Sequence, residues 1–135
     1  DRRIFCMSSD GDMNEGSTWE AIMFAAQEKL SNLTLIIDYN RVQALGHSED
    51  VIDLRDLKTR LEAFGWAVAE IDGHNVEEIY NTLSKVPFDE KKPSAVIAYT
   101  VKCKGIPELE DTVKSHYKFV ADEDMERVIK EIEEA

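Results

Sequence analysis

Ser9-Asp10-Gly11-Asp12-Met13-Asn14-Glu15-Gly16 follows the apolar run Ile4-Phe5-Cys6-Met7, and Asp38-Tyr39-Asn40-Arg41-Val42 follows the apolar run Leu33-Thr34-Leu35-Ile36-Ile37. Asn40 comes 30 positions after Asp10, about the length of one βαβ unit. Two neighbouring parallel strands would bring both oxygen-bearing side chains to one edge of a sheet. That edge, at the carboxyl ends of the strands, is where open α/β sheets bind ligands. A carboxylate, an amide oxygen and a nearby backbone carbonyl make half of an octahedral Mg²⁺ site, which phosphate oxygens and water can complete.

Working outward, residues 3–8 read as a buried strand. Ser17-Thr18-Trp19-Glu20 reads as a capping box, with Ser17 as N-cap and Glu20 reaching back. Trp19, Ile22, Met23, Ala26 and Leu30 then fall at helical spacing. Residues 33–38 are a continuous apolar strand of the kind a doubly covered parallel sheet uses. The segment 39–53 has no clear period and reads as a loop. A helix is predicted over 54–64, ending at Gly65, and a strand over 66–71. Asn75 can cap a helix running to about Lys85. Residues 87–93 read as a polar connection, and 94–101, rich in β-branched residues, as a strand. Residues 106–121 look irregular. Residues 122–134 predict an amphipathic helix that begins in acids, which suits its dipole. This alternation predicts an α/β fold, a mostly parallel sheet with flanking helices. Residues 1–135 read as a single domain, without an internal repeat or linker.

The length suffices for one domain with a real core. A net charge of −12 argues against nonspecific binding to nucleic acid or to an anionic membrane. From Asp122 to Ala135 there are seven acids and two bases, a net of −5, which reads as a solvated helix face. No apolar run is long enough to span a bilayer. The four apolar residues after Asp1-Arg2-Arg3 are too short for a signal peptide. Cys6 and Cys103 make neither a metal pair nor a disulfide framework, so a cytoplasmic protein with reduced thiols is expected.

The motifs carry a resemblance. Asp10-Gly11, Glu15-Gly16 and the distant Asn40 resemble the thiamine diphosphate motif of the transketolase family: Gly-Asp-Gly, then roughly thirty residues, then Asn. Trp19-Glu20-Ala21 resembles the opening of that family's next helix. Asp72-Gly73-His74-Asn75 matches its Asp-Gly-His turn, and Thr100-Val101-Lys102-Cys103-Lys104-Gly105 its Thr-Val-Lys-Gly-Lys-Gly strand end. Ser115-His116 falls on its later Ser-His-Gly. No single one of these motifs is specific; their order and spacing are. The resemblance covers the whole chain and is closest to the amino-terminal subunit of split, two-gene transketolases.

It implies thiamine diphosphate and Mg²⁺ as cofactors, with Ca²⁺ or Mn²⁺ as possible substitutes. The metal ligands would be the Asp10 carboxylate, the Asn40 amide oxygen and the Val42 backbone carbonyl. Asp10, Gly11 and Asn40 would bind the cofactor, Gly11 by letting the backbone approach the diphosphate. The dipole of the helix capped by Ser17 would add to this. His116 reads either as a catalytic polar group lining the active-site channel or as a surface-loop histidine. It is followed by Tyr117 rather than the family's Gly. Glu15 would sit in an acidic network at a subunit interface, or else be an exposed first-turn acid. His74 reads as a turn residue, and Cys103, where the family has Gly, as packing. Ser9 replaces the family's first Gly and fits if its φ is negative. Val113 stands where many single-chain transketolases carry a His and the split subunits do not.

Two other motifs are set aside. Asp10, Asp12 and Asn14 match the first positions of an EF-hand loop, which then needs Gly at 15 and Glu at 21; the chain has Glu15 and Ala21. Asn32-Leu33-Thr34 is a glycosylation sequon, but it leads into a buried strand.

The resemblance begins in the middle of the family's diphosphate-binding domain, so the chain reads as that domain's carboxyl-terminal part. The upstream half and the pyrimidine-binding domain, which brings the glutamate that activates the aminopyrimidine, would have to come from missing chain or from a partner subunit. The expected function is part of a transketolase that moves two-carbon ketol units between sugar phosphates, inactive alone. A pyrimidine-domain subunit is its expected partner in a homo- or hetero-oligomer. The alternatives are a relative of deoxyxylulose phosphate synthase or of a 2-oxoacid dehydrogenase subunit, or a non-catalytic interaction domain of the same fold.

Overall fold

The computed structural model describes residues 2–133. Four parallel strands form the main sheet: β1 (Ile4–Ser9), β2 (Leu33–Tyr39), β5 (Ala67–Asp72) and β6 (Ser94–Tyr99), in the order β1-β2-β6-β5. Ser9 stands opposite Asp38, and Tyr39 and Asp72 both stand opposite Tyr99. All four strands therefore end on one rim. The α/β architecture expected from the alternating pattern is present.

Helices cover both faces of the sheet. α1 (Gly16–Gln27) and α3 (Leu57–Ala63) pack on one face, where Ile22, Ala25, Leu57 and Leu61 meet Leu35, Ile37, Ala95 and Ile97. Trp66 locks this layer by donating its indole N–H to the Ile22 carbonyl at 3.0 Å. α4 (Val76–Leu83) covers the other face, bringing Ile79 and Leu83 to Ile71, Val96 and Ala98. β6 lies between two neighbours under both layers, and its first five residues are buried.

Local chemistry sets the helix ends. The Asp56 side chain accepts from the Thr59 N–H at 3.1 Å and starts α3, and Gly65, at φ +95°, ends it in the left-handed region. The Asn75 side chain accepts from the Glu78 N–H at 3.1 Å and starts α4 as expected.

Several expectations need correction. β1 is not buried: among the described residues it pairs with β2 alone, and its first four residues are exposed, Met7 at 73%. An apolar run fixes strand propensity but not the number of neighbours. Ser17 does not cap α1. A 3₁₀ turn over Asp12–Asn14 runs into the helix, Glu15 takes the N-cap position, and no side-chain capping bond forms. The segment 39–53 is not only loop. It holds a hairpin of β3 (Val42–Gln43) and β4 (Gly46–His47), then a single helical turn, α2 (Ser48–Val51). Two-residue strands are too short to show a period.

After β6 the chain is irregular apart from a 3₁₀ turn over Val113–His116. It closes with a 3₁₀ turn over Asp122–Asp124 and α5 (Met125–Glu133). Residue 134, the expected end of that helix, lies outside the described residues. Val128 anchors α5 in the interior, and Arg127 ties it to Glu108 at 2.9 Å.

Candidate functional site

The rim where the strands end opens into a cavity of about 440 Å³, lined by Ser9, Asp10, Gly11 and Asp38, by Asn40 through Leu45 with the exception of Arg41, and by Lys102 and His116. Its walls come from the ends of β1, β2 and β6, the β3–β4 hairpin and the 3₁₀ turn at residues 113–116. The topology thus brings Asp10, Gly11, Asn40, Val42 and His116 together.

Asp10 is 1% exposed. Its backbone N–H extends the strand pairing to the Asp38 carbonyl at 3.2 Å. Carboxylate oxygen Oδ2 accepts from the Ser48 hydroxyl at 2.6 Å, and no hydrogen bond to Oδ1 occurs among the described residues. The Asn40 amide oxygen accepts from the Val42 N–H at 3.0 Å. That bond identifies the oxygen of the amide and aims it within the hairpin turn. Arg41, between them, takes φ +64°, and its guanidinium lies 5.9 Å from the ring centres of both Tyr39 and Tyr99. These cation–π contacts hold a left-handed residue that would otherwise be costly.

The Val42 carbonyl lies 3.0 Å from His116 Nε2. A carbonyl can only accept, so Nε2 carries the proton. That oxygen carries a second lone pair. Tyr117 adds a second tie, donating its hydroxyl to the Ala44 carbonyl at 2.7 Å. The 113–116 turn is thereby fastened to the hairpin.

Gly11 has φ −62° and ψ −40°, a conformation open to any residue, so glycine is not needed there for the turn. A Cβ at this position would sit 3.6 Å from Ser9 Oγ and 3.9 Å from Gln43 Cγ, between two cavity-lining side chains. Glycine therefore preserves space for something to approach the backbone. Ser9 is not among the residues of positive φ, so it meets the condition for replacing glycine. Its N–H and hydroxyl donate to Asp12 at 2.8 and 3.0 Å. These bonds, the Ser9 N–H foremost, hold the Asp12 carboxyl below its ordinary pKa. Oxygen donors of three chemical kinds around space kept open by a glycine fit a small hard cation bearing a phosphate group.

The start of α1, with its N-cap Glu15 and with Ser17 and Thr18, lines a separate hollow of about 470 Å³ beside β1. Glu15 itself is exposed. Sequence reasoning also missed Lys102, Ser48, Gln43 and Asp38. Lys102 could have been found, because it follows the end of β6 just as Asp10 follows β1; among the described residues its ammonium has no ion pair. Asp38 is held by a short hydrogen bond from the Thr100 hydroxyl, which clasps the ends of β2 and β6. Ser48 is 38 positions from Asp10, and nothing local marks it.

Comparison with known proteins shows the family and the fold. Residues 1–132 match the family described as transketolase, thiamine diphosphate binding domain. The chain is 37% identical over 134 residues to an apulose-4-phosphate transketolase subunit of Phocaeicola vulgatus, covering 99% of this chain and 48% of that protein. It is 35% identical over 130 residues to the 6-deoxy-6-sulfo-D-fructose transketolase subunit SqwG of a Clostridium species, covering 96% and 47%. Among solved structures, transketolase from Campylobacter jejuni superposes with a TM-score of 0.87 at 37% identity, over 99% of this chain and 20% of that one. The chain spans about half the length of the two matched subunits. A parallel α/β sheet in a chain matched over nearly its whole length by these proteins places the chain in the transketolase family, within its thiamine diphosphate-binding domain.

Proposed function

We propose that residues 1–135 form the carboxyl-terminal part of a diphosphate-binding domain. In this reading they hold the Mg²⁺–diphosphate end of thiamine diphosphate in a transketolase that moves two-carbon ketol units between sugar phosphates. The observation that carries the proposal is the convergence of Asp10, Asn40 and the Val42 carbonyl on one cavity beside Gly11. When bound, thiamine diphosphate supplies the carbon–carbon bond chemistry. The work of this chain is to bind and orient. Asp10 gives a carboxylate oxygen to the metal, Asn40 an amide oxygen, and Val42 its carbonyl. Gly11 lets diphosphate oxygens come close to its N–H. Lys102, a cation facing the same cavity, balances the charge of the phosphates. His116 lines the channel and holds the Val42 carbonyl in place.

A pyrimidine-domain subunit is the proposed partner, supported by the naming of two relatives as transketolase subunits. The chain alone then lacks turnover. A cytoplasmic location belongs to the same proposal and is supported by the two unpaired cysteines.

Calorimetric titration with thiamine diphosphate, first with Mg²⁺ and then with EDTA, tests this reading. Mg²⁺-dependent binding that disappears in Asp10→Ala is the expected result. Binding indifferent to both EDTA and the substitution would overturn it, and absence of binding would favour a non-catalytic domain of the same fold.

A further inference from the structure

The β3–β4 hairpin is held unevenly. Its base has several ties. The Ser48 backbone N–H donates to the Arg41 carbonyl at 2.9 Å, and Gln43 Nε2 donates to Ser48 Oγ at 3.1 Å. The Ser48 hydroxyl donates to Asp10, and His116 Nε2 to the Val42 carbonyl. The tip, Ala44–Leu45, belongs to neither strand. It forms part of the cavity wall, and Leu45 is 83% exposed. The tie to the tip is the Tyr117 hydroxyl, which donates to the Ala44 carbonyl at 2.7 Å.

The arm that carries Tyr117 is the firmer side of this contact. The backbone N–H groups of Tyr117 and Lys118 both donate to the Lys114 carbonyl at 2.9 Å. The Ser115 hydroxyl donates to the Thr112 carbonyl at 2.6 Å, and the Asp111 N–H to the Lys102 carbonyl at 3.0 Å. Two strands of two residues each, by contrast, do not hold a hairpin by themselves. When the Tyr117 bond breaks, the element free to move is the tip. The bond is exposed, so water competes for it and its net strength is modest. Contacts of that strength open and close while the rest of the domain stays folded.

The geometry points to Tyr117 as the latch of a gate: its hydroxyl holds the tip Ala44–Leu45 against the 113–117 turn, and release of that bond opens the strand-end cavity to the entry and departure of a phosphate-bearing ligand. The inference rests on the reading of the cavity as the metal–diphosphate site. It goes beyond that reading by assigning the rate of exchange to a residue outside the ligand set. Asp10, Asn40 and the Val42 carbonyl sit at the tied base, so the tip opens without disturbing them. A latch that touches the ligand in neither state has no differential affinity to contribute. It changes entry and departure by the same factor and leaves the equilibrium affinity as it was.

The test is Tyr117→Phe, which removes the hydroxyl from an exposed ring. Phosphorus NMR exchange of thiamine diphosphate with the full chain and Mg²⁺ gives the rates, and calorimetry gives the affinity. Expected are entry and departure rates that rise together by about two- to tenfold, with an unchanged dissociation constant. A merely structural role would weaken the affinity. Unchanged rates, or a weaker affinity with an unchanged entry rate, overturn the inference. A second measurement needs no cofactor. Hydrogen exchange at the amides of residues 44–46 in the ligand-free chain should quicken in Tyr117→Phe, and equal exchange in both proteins overturns the latch whatever the cavity binds. Failure of the unaltered chain to bind thiamine diphosphate overturns the underlying reading, and the assignment of the gate with it.

Discussion

His74 Nε2 accepts the Val101 backbone N–H at 2.7 Å, tying the Asp-Gly-His turn after β5 to the segment that carries Lys102 after β6. The turn is itself held by the Asp72 side chain, which accepts from the His74 N–H at 2.8 Å. His74 therefore does structural work at the rim although it does not line the cavity.

His74→Ala leaves the Val101 N–H without its partner. The bond is exposed, so the expected loss of stability is about 0.5–1.5 kcal/mol. Thiamine diphosphate affinity should fall several-fold as Lys102 loses its anchor. Chemical denaturation and calorimetry measure the two effects. A stability loss with unchanged affinity would separate His74 from the site.

Gly73→Ala should be more damaging. A Cβ there would lie 2.4 Å from Thr100 Cγ2 and 3.0 Å from the Tyr99 carbonyl oxygen. Thr100 cannot turn aside without releasing Asp38, so the backbone must shift, at an expected cost of about 1–3 kcal/mol. Denaturation midpoints check this.

Stability should fall in alkali through Tyr99. Burial, and then the hydrogen bond its hydroxyl donates to Glu70 at 2.6 Å, push its pKa up to about 12 from 10.0. The folded state keeps this proton while the unfolded state loses it, so stability is whole below pH 10 and declines as pH rises through about 12. Tyr99→Phe should flatten the fall over that window. Melting temperatures of both proteins between pH 9 and 12 test the assignment, and parallel curves would refute it.

His116 separates two roles. His116→Gln keeps a donor for the Val42 carbonyl, and His116→Ala does not. Both should depress ketol transfer once the chain is assembled with a pyrimidine-domain subunit, by about 10²-fold if the imidazole moves a proton. Only His116→Ala should also weaken Mg²⁺-dependent cofactor binding. Equal cofactor binding by both variants would mean that the Val42 contact is idle.

Asp10 and Asn40 were legible because each follows an apolar run, and the spacing between them is set by the geometry of a βαβ unit. The type of the main strands and their succession along the chain followed from the same alternation, whereas their order in the sheet, β1-β2-β6-β5, did not. The hairpin was not legible, since Val42–Gln43 and Gly46–His47 are held by tertiary contacts such as Tyr117 to Ala44 rather than by any local pattern. Ser17 misled because a capping-box pattern was present while the preceding 3₁₀ turn, closed by Glu15 N–H to the Asp12 carbonyl at 3.1 Å, started the helix earlier. Ser48 and Gln43 were invisible for a further reason. Their meaning lies in a carboxylate reached only after the chain has folded across 38 positions.

The bare flank of β1 has a colloidal consequence. Its outward N–H and C=O groups, beside exposed Phe5 and Met7, offer another molecule a strand to pair with. A net charge of −12 holds such molecules apart, but only within a Debye length, about 10 Å at 0.1 M salt and about 3 Å at 1 M. Light scattering from this chain should therefore rise with added salt, opposite to an assembly held by ion pairs.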